Sequence, residues 1–341
     1  MSLLPFLHRI AAGADLSAEE AHRAMGALLE GASSESVVAA FLVALKMKGE
    51  TAAELAGFAR AMRERMIVVD AGADVIDTCG TGGDACGTFN ISTAAALVMA
   101  GAGAHVAKHG NRSFAGSSGS ADVLEALGVR IAMTAEEAAW AVREIGIGFL
   151  FAPHLHPAMK LAGPVRRELK MRTVFNLLGP LANPARAMRQ LIGAPSPDAA
   201  RLMAEALASL GVIRAFVVHG HDGLDEVSTT GPTDVWEIAR GDVKRHLWTP
   251  ADFGVRRATL GELAGGDPAF NARLIEQILA GRNGAPRDIV IVNAAAGLVA
   301  AGMAGVHAND LRGAVDMAAQ AIDSGSAAHK LEQLKKNFPV S

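Results

Sequence analysis

From Asp74 onward, short apolar runs alternate with helix-length segments, and this alternation constrains the fold more than any other feature of the chain. Residues 75–77, 105–107, 148–152, 191–193 and 215–219 read as strands, and residues 91–100, 121–127, 135–145 and 198–210 read as the helices between them. Strands linked through helices lie parallel, with the helices on the sheet's faces. Ligands of such sheets bind in the crevice at the strands' carboxyl ends. The expected class is therefore α/β with a mostly parallel central sheet.

The first sixty-odd residues carry only helical signals. Ser17 with Glu20 spells a capping box, Ser34 precedes the apolar run 37–45, Gly49 can stop that helix, and Thr51 with Glu54 starts another. These signals predict a small all-α domain over residues 1–70, ahead of the α/β pattern that begins at Asp74. Val38, Leu42 and Leu45 form an apolar face larger than a few short helices can cover, which points to docking on another domain or on a second copy of the chain. Further on, residues 156–169 read as one helix, residues 233–238 and 243–248 as a hairpin around Arg240-Gly241-Asp242, and residues 270–279 and 311–335 as helices. Residues 289–306 are apolar enough to raise a membrane question, but their Ala and Gly content and the internal Asn293 favour a close-packed interior helix.

Two glycine-rich segments follow predicted strands, Asp77-Thr78-Cys79-Gly80-Thr81-Gly82-Gly83-Asp84 and Lys108-His109-Gly110-Asn111-Arg112-Ser113. Glycines let backbone N–H groups approach phosphate oxygens, and Asn90-Ile91-Ser92-Thr93 opens a helix whose positive end faces the same way. Lys108 ends a strand, so its ammonium is expected near the sheet's mouth as a clamp for pyrophosphate. Asp84, Asp225 and Glu226 would repel such an anion unless a divalent cation intervened. The Asp225-Glu226 pair and the Ser92 hydroxyl are hard oxygen donors that suit Mg²⁺. For His109, ring packing, one ligand hydrogen bond and an acid–base task remain open.

The balance of charge, −3 with a pI near 6.4, offers no basic excess for a nucleic-acid backbone, and a chain with no Tyr and 4% aromatic residues has little on which to stack bases. Cys79 and Cys86 lack zinc-site spacing and suggest a reducing, cytoplasmic setting, with Cys86 as an uncharged filler. Residues 1–13, broken by Pro5, His8 and Arg9, do not read as a signal peptide.

The segments GTGGD, TFNIST, KHGNRS, RTVFNLLGPLANP and GLDEVS occur in the order and spacing of the anthranilate phosphoribosyltransferases, and the chain resembles that family over nearly its whole length. The resemblance implies a nucleoside phosphorylase/phosphoribosyltransferase-like fold, in which returning helices near 156–180 join the helical domain and residues 74–155 and 181–341 form the α/β domain. It also implies transfer of the phosphoribosyl group of 5-phosphoribosyl 1-pyrophosphate to the amine of anthranilate, in tryptophan biosynthesis. The positions it assigns to phosphoribosyl pyrophosphate are Gly80, Gly83, Asp84, Thr88, Asn90, Ile91, Ser92, Thr93, Lys108, His109, Gly110, Asn111, Arg112, Ser113 and Ser120. Anthranilate falls to Gly80, Asn111 and Arg166, and Mg²⁺ to Ser92, Asp225 and Glu226. A homodimer through the helical domain is implied, with no nucleic-acid or membrane partner. Two departures stand out: Ala115-Gly116 replaces a usual pair of serines, followed by Ser117 and Ser118, and Lys170 replaces a glycine.

The expected reaction is displacement of pyrophosphate from the anomeric carbon by an amine already neutral at pH 7. Such a reaction needs positioning and leaving-group stabilisation by Lys108 and Mg²⁺ more than a strong base, and no general base is assigned. Two alternatives are a pyrimidine nucleoside phosphorylase-like enzyme, which the acidic pair disfavours, and a non-catalytic relative that binds nucleic acid, which the acidic balance disfavours.

Overall fold

The computed structural model describes residues 2–82, 86–113, 118–303 and 310–340. Four helices open the chain: α1 (Leu4–Ala11), α2 (Ala18–Leu29), α3 (Glu35–Lys48) and α4 (Ala52–Arg65). Complete capping boxes start α2 and α4, at Ser17 with Glu20 and at Thr51 with Glu54. Ser34 does precede α3, but its hydroxyl turns to Ser36 at 3.0 Å and makes no cap bond. Gly49 ends that helix at φ 87°. The wholly buried Glu54 also accepts the Leu16 N–H at 2.9 Å and meets Lys48 Nζ at 3.0 Å, so its charge is paired inside the bundle.

Seven strands follow in one sheet: β1 (Val75–Gly80), β2 (His105–Gly110), β3 (Ile147–Phe151), β4 (Arg189–Gly193), β5 (Arg214–Gly220), β6 (Thr233–Ala239) and β7 (Asp242–Trp248). Their order is β3-β2-β1-β4-β5-β6-β7, parallel through β5, with β6 and β7 added antiparallel at the edge. The β6–β7 hairpin turns on Arg240 and Gly241, both left-handed at φ 53° and 87°, as a two-residue loop requires. Several strands run further than the sequence suggests: β1 and β2 continue three residues, into the glycines of their own loops.

Alternation along each strand sends side chains to two cores. Ile76, Val106, Leu191, Phe216 and Val218 pack with helix α5 (Ile91–Gly101) and with the helix Ala285–Ala301. Both helices are apolar on nearly every side because they lie between the sheet and further helices. The opposite face, including Cys79, Ile192, Val217 and Ile238, packs with the helix Pro197–Ser209, residues of the 162–182 segment, and the N-terminal helices. Val38, Leu42 and Leu45 belong to this second core at 5% exposure or less, so their surplus is covered by the chain itself. Large apolar side chains left exposed on the N-terminal helices are instead Leu4 and Met47, at 44% and 83%.

Three predicted helices are broken. Residues 156–169 form a 3-10 turn, Pro157–Leu161, and a short helix, Gly163–Leu169, because Pro157 and Pro164 interrupt the bonding ladder and each stands in the first turn of a new element. Residues 311–335 divide into Leu311–Asp323 and Ser326–Asn337 at Gly325, which is left-handed at φ 76°. Residues 135–145 begin as an α-helix and finish as a π-turn, Ala141–Ile145, closed by Gly146. Among the described residues no helix is long and apolar enough to cross a membrane.

Candidate active site

The chain fills the sheet outward from β1 through β2 to β3, then crosses to the other side of β1 for β4 and β5. The β1–β4 boundary is therefore the topological switch point, where a crevice opens above the strand ends. The β1–β2 boundary is unusual as well. Backbone pairing stops at Ile76 and Val106, whereas β1 stays paired with β4 through Gly80. Side chains take over the hydrogen bonds along the parted seam. Asp77 Oδ1 accepts the His109 N–H at 3.0 Å, Asn183 Nδ2 donates to the Ala107 carbonyl at 2.9 Å, and Lys108 Nζ donates to the Thr78 carbonyl at 2.7 Å.

Lys108 is thus buried, at 2% exposure, and does not stand at the mouth as an exposed clamp. Its ammonium also reaches Ser92 Oγ at 3.2 Å, on the first turn of α5. Burial pulls its pKa down, while Asp77, Cys79 and Glu226 oppose that shift. Asp77 is pushed up by burial, against the hydrogen bonds from Asn183 and His109 and the charge of Lys108. The Cys79 thiol donates to Asp77 at 3.6 Å and is pushed well up by burial and by that carboxylate, so it stays protonated.

The acidic pair lies over the switch point. A methyl group on Gly80 would sit 2.5 Å from Asp225 Oδ2, and one on Gly193 would overlap the Asp225 carbonyl, 2.5 Å from its carbon. Only glycines at the ends of β1 and β4 let the loop after β5 settle there. Glu226 is 9% exposed and acts electrostatically on Lys108. This loop is not a solvated turn. Its start is organised by Asp222, whose carboxylate accepts from Leu224 N at 3.1 Å and from the hydroxyls of Ser228 and Thr230. Cys86 Sγ approaches the Asp222 carbonyl at 3.8 Å, linking the loop to the first glycine segment.

At the start of α5 the Asn90 side chain makes no cap bond. It pairs instead with Ser118, through Nδ2 to the carbonyl and Oδ1 from the hydroxyl, each at 3.0 Å, and with Asn271 Nδ2 at 3.0 Å. The helix's first N–H groups are left without that cap, and the Thr81 and Thr93 hydroxyls are buried without partners among the described residues. Such a start suits an anion. Thr88 bridges to Ala264. In the second loop, Asn111 is tied to Ser120 at 3.2 Å and Ser113 N to Asp122 at 3.0 Å. The Arg112 guanidinium is engaged by Asp122 and Glu125 at 2.9 and 2.6 Å. Gly83, Asp84, Ala115, Gly116 and Ser117 lie outside the described residues.

Arg166, on Gly163–Leu169, is half-buried with its guanidinium 5.3 Å from the Phe175 ring centre, and burial lowers its pKa. Among the described residues it makes no ion pair with Glu168 or any other carboxylate, which leaves its fork of donors open to a ligand carboxylate. His109 donates from Nδ1 to the Gly179 carbonyl at 3.1 Å, and its ring lies 5.1 Å from that of His156. Burial, then His156, lowers its pKa to about 3, and burial lowers that of His156 to about 4. Both imidazoles are neutral at pH 7, and each has a buried Nε2 without a partner among the described residues.

The structure therefore brings Gly80, Ser92, Lys108, Asp225 and Glu226 to one place. Sequence reasoning passed over Asp77, Asn183, His156 and Arg172, whose Nη2 donates to the Gly82 carbonyl at 2.7 Å. Asp77 had a readable signal, as a charged residue inside an apolar strand.

Models of the glycosyl transferase family match in two parts, the helical bundle domain over residues 4–66 and the a/b domain over residues 72–328. An anthranilate phosphoribosyltransferase of Solibacter usitatus is 57% identical over 337 residues, 98% of each chain. The crystal structure of anthranilate phosphoribosyltransferase from Thermus thermophilus superposes with a TM-score of 0.90 at 43% identity, covering 97% of this chain and 98% of that one. The enzyme from Saccharomyces cerevisiae, solved in complex with PRPP and Mg, gives 0.87 at 29% identity, with 98% of each chain covered.

Proposed function

The chain belongs to the anthranilate phosphoribosyltransferase family, and from that premise we propose which of its residues carry the reaction. The enzyme transfers the phosphoribosyl group of phosphoribosyl pyrophosphate to anthranilate, a step of tryptophan biosynthesis. The amine nitrogen forms the new bond to the anomeric carbon, the bond from that carbon to the pyrophosphate oxygen breaks with its electron pair, and the amine loses a proton. One observation supports the assignment above the others: Lys108, Ser92 and the acidic loop converge at the sheet's switch point, beside the weakly capped start of α5.

The donor set fits Mg²⁺. Among the described residues no group of three or more His, Cys, Asp or Glu side chains could hold a metal alone. Asp225, Glu226 and the Ser92 hydroxyl offer hard oxygens and leave the remaining positions to water and phosphate, the arrangement Mg²⁺ prefers. Bound there, the cation would offset the negative charge of the leaving pyrophosphate. Lys108, fixed by Thr78 and Ser92 in a water-poor site, contributes positive charge that need not reorganise during the reaction. The glycine turns and the α5 start receive the phosphates, and Arg166 receives the anthranilate carboxylate. With both histidines neutral, His109 takes the role of a packed ring with one unshared acceptor, not of a charged acid.

We place residues 1–70 with the returning 156–180 segment in the helical domain, and residues 74–155 and 181–341 in the α/β domain. A cytoplasmic homodimer is the further reading, with a second copy covering Leu4 and Met47; light scattering of Met47→Glu against the parent chain tests it. The activity itself is tested by anthranilate fluorescence. Signal loss is expected only when phosphoribosyl pyrophosphate and Mg²⁺ are both present, and loss without either would refute the assignment.

A further inference from the structure

Asn293 is the one polar side chain in the middle of the apolar helix Ala285–Ala301, and it is fully buried. An unpaired amide there would be destabilising, so its partners matter. Its Oδ1 accepts the Val227 N–H at 2.9 Å, while its Nδ2 donates to the Val227 carbonyl at 3.0 Å and to the Ile289 carbonyl of its own helix at 2.9 Å. The side-chain amide therefore pairs with both backbone groups of one residue, as a neighbouring strand would. That residue directly follows Glu226.

We infer that Asn293 is a positioning residue for the acidic pair, fixing the loop's exit to a core helix so that Asp225 and Glu226 present their carboxylates in one arrangement. The loop is gripped on both flanks. Before the pair, Asp222 gathers Leu224 N and the Ser228 and Thr230 hydroxyls, and Gly220 N donates to the Leu224 carbonyl at 2.8 Å. After it, Ser228 N donates to Thr233 Oγ1 at 2.9 Å, but the Val227 backbone depends on Asn293. Asp222 and its hydroxyl partners all belong to the 222–230 loop, so they shape the loop without fixing it to the rest of the fold. Asn293 ties it to the helix that also packs against α5, the carrier of Ser92. One rigid helix thus sets the spacing between the pair and the third proposed ligand.

This inference rests on the reading of Asp225, Glu226 and Ser92 as the Mg²⁺ site. Leu at position 293 keeps the branched shape of Asn, though bulkier, and offers neither donor nor acceptor, while Asp matches it in size, keeps the acceptor and loses the donor. Two readouts are needed on Asn293→Leu, Asn293→Asp and Asp225→Asn. The first is amide hydrogen exchange of the segment around Val227 in the metal-free protein. The second is the Mg²⁺ concentration for half-maximal activity at saturating donor. Asn293→Leu should speed exchange of that segment and raise the Mg²⁺ requirement about 10- to 100-fold, the range typical of groups that orient metal ligands. Its kcat at saturating Mg²⁺ should remain within a few-fold of the parent. Asn293→Asp should fall between the two and serves alone if the leucine variant fails to fold. Faster exchange with an unchanged Mg²⁺ requirement, or unchanged exchange, would overturn the positioning role. Should Asp225→Asn leave the Mg²⁺ requirement unchanged, the metal assignment itself fails, and the inference with it.

Discussion

Replacing Gly193 by Ala tests the seating of the acidic loop with a single methyl group. Gly193 ends β4, and its α-carbon faces the Asp225 main chain so closely that the added carbon would fall on the carbonyl oxygen and 2.5 Å from the carbonyl carbon. Ordinary contact begins near 3.4 Å and the carbonyl oxygen lies nearer still than the carbon, so the loop must withdraw by more than about 1 Å. The obstacle is backbone, and it cannot rotate away. Gly80→Ala meets the same residue differently, since its methyl would lie 2.5 Å from Asp225 Oδ2, the free end of a side chain. That variant should turn the carboxylate and leave the loop in place.

A displacement of about 1 Å at a reacting centre costs on the order of 100-fold in rate, close to 3 kcal/mol. We therefore expect Gly193→Ala to lose at least about 100-fold in kcat/KM and to need more Mg²⁺. Gly80→Ala should be milder in kcat and show its effect chiefly in the Mg²⁺ requirement. Gly261→Ala is the control, because it is exposed, with nothing within 4 Å of the added methyl, and it should stay within about 0.5 kcal/mol in stability and unchanged in rate. Loss of anthranilate fluorescence across a Mg²⁺ series reads all three. Wild-type kinetics in Gly193→Ala, with its circular dichroism unchanged, would refute the seating of Asp225 over β4.

Other expectations follow from the same geometry. Lys108→Ala should lose about 2–4 kcal/mol of transition-state stabilisation, some 30- to 1000-fold in kcat/KM, and near-normal turnover would contradict its role. Arg166→Ala should chiefly raise KM for anthranilate, and a change confined to the phosphoribosyl donor would contradict the carboxylate contact. His109 and His156 have folded-state pKa values near 3 and 4, below the ordinary 6.5, so the unfolded chain takes up protons first as pH falls. Stability should be full above pH 6.5 and decline toward pH 4, by roughly 2 kcal/mol for each ring by pH 5. His156→Phe should flatten that decline in melting curves, and parallel pH profiles for the two proteins would exclude the pair as its source.

The α/β order is legible in the sequence because it rests on local signals: runs of Val, Ile and Ala, two capping boxes in the first sixty residues, and glycines where backbone must come close. Proline breaks at Pro157 and Pro164 were equally local, yet helical periodicity overrode them in the reading of residues 156–169, and the structure restores their effect. The surplus face at Val38, Leu42 and Leu45 could be recognised but not matched to its cover, which includes the helix Gly163–Leu169, more than a hundred positions away. The same limit applies with more consequence at the site. Asp77, Asn183 and Asn293 are each visible as a polar residue among apolar ones, but their partners lie 32, 76 and 66 positions along the chain. Each side chain supplies a hydrogen bond that a strand would ordinarily supply. The parted β1–β2 seam leaves Lys108 room to sit within the sheet, and the amide of Asn293 pairs with the backbone of Val227, which belongs to no strand. Sequence periodicity describes ladders, whereas this site is built where the ladder stops and side chains continue it.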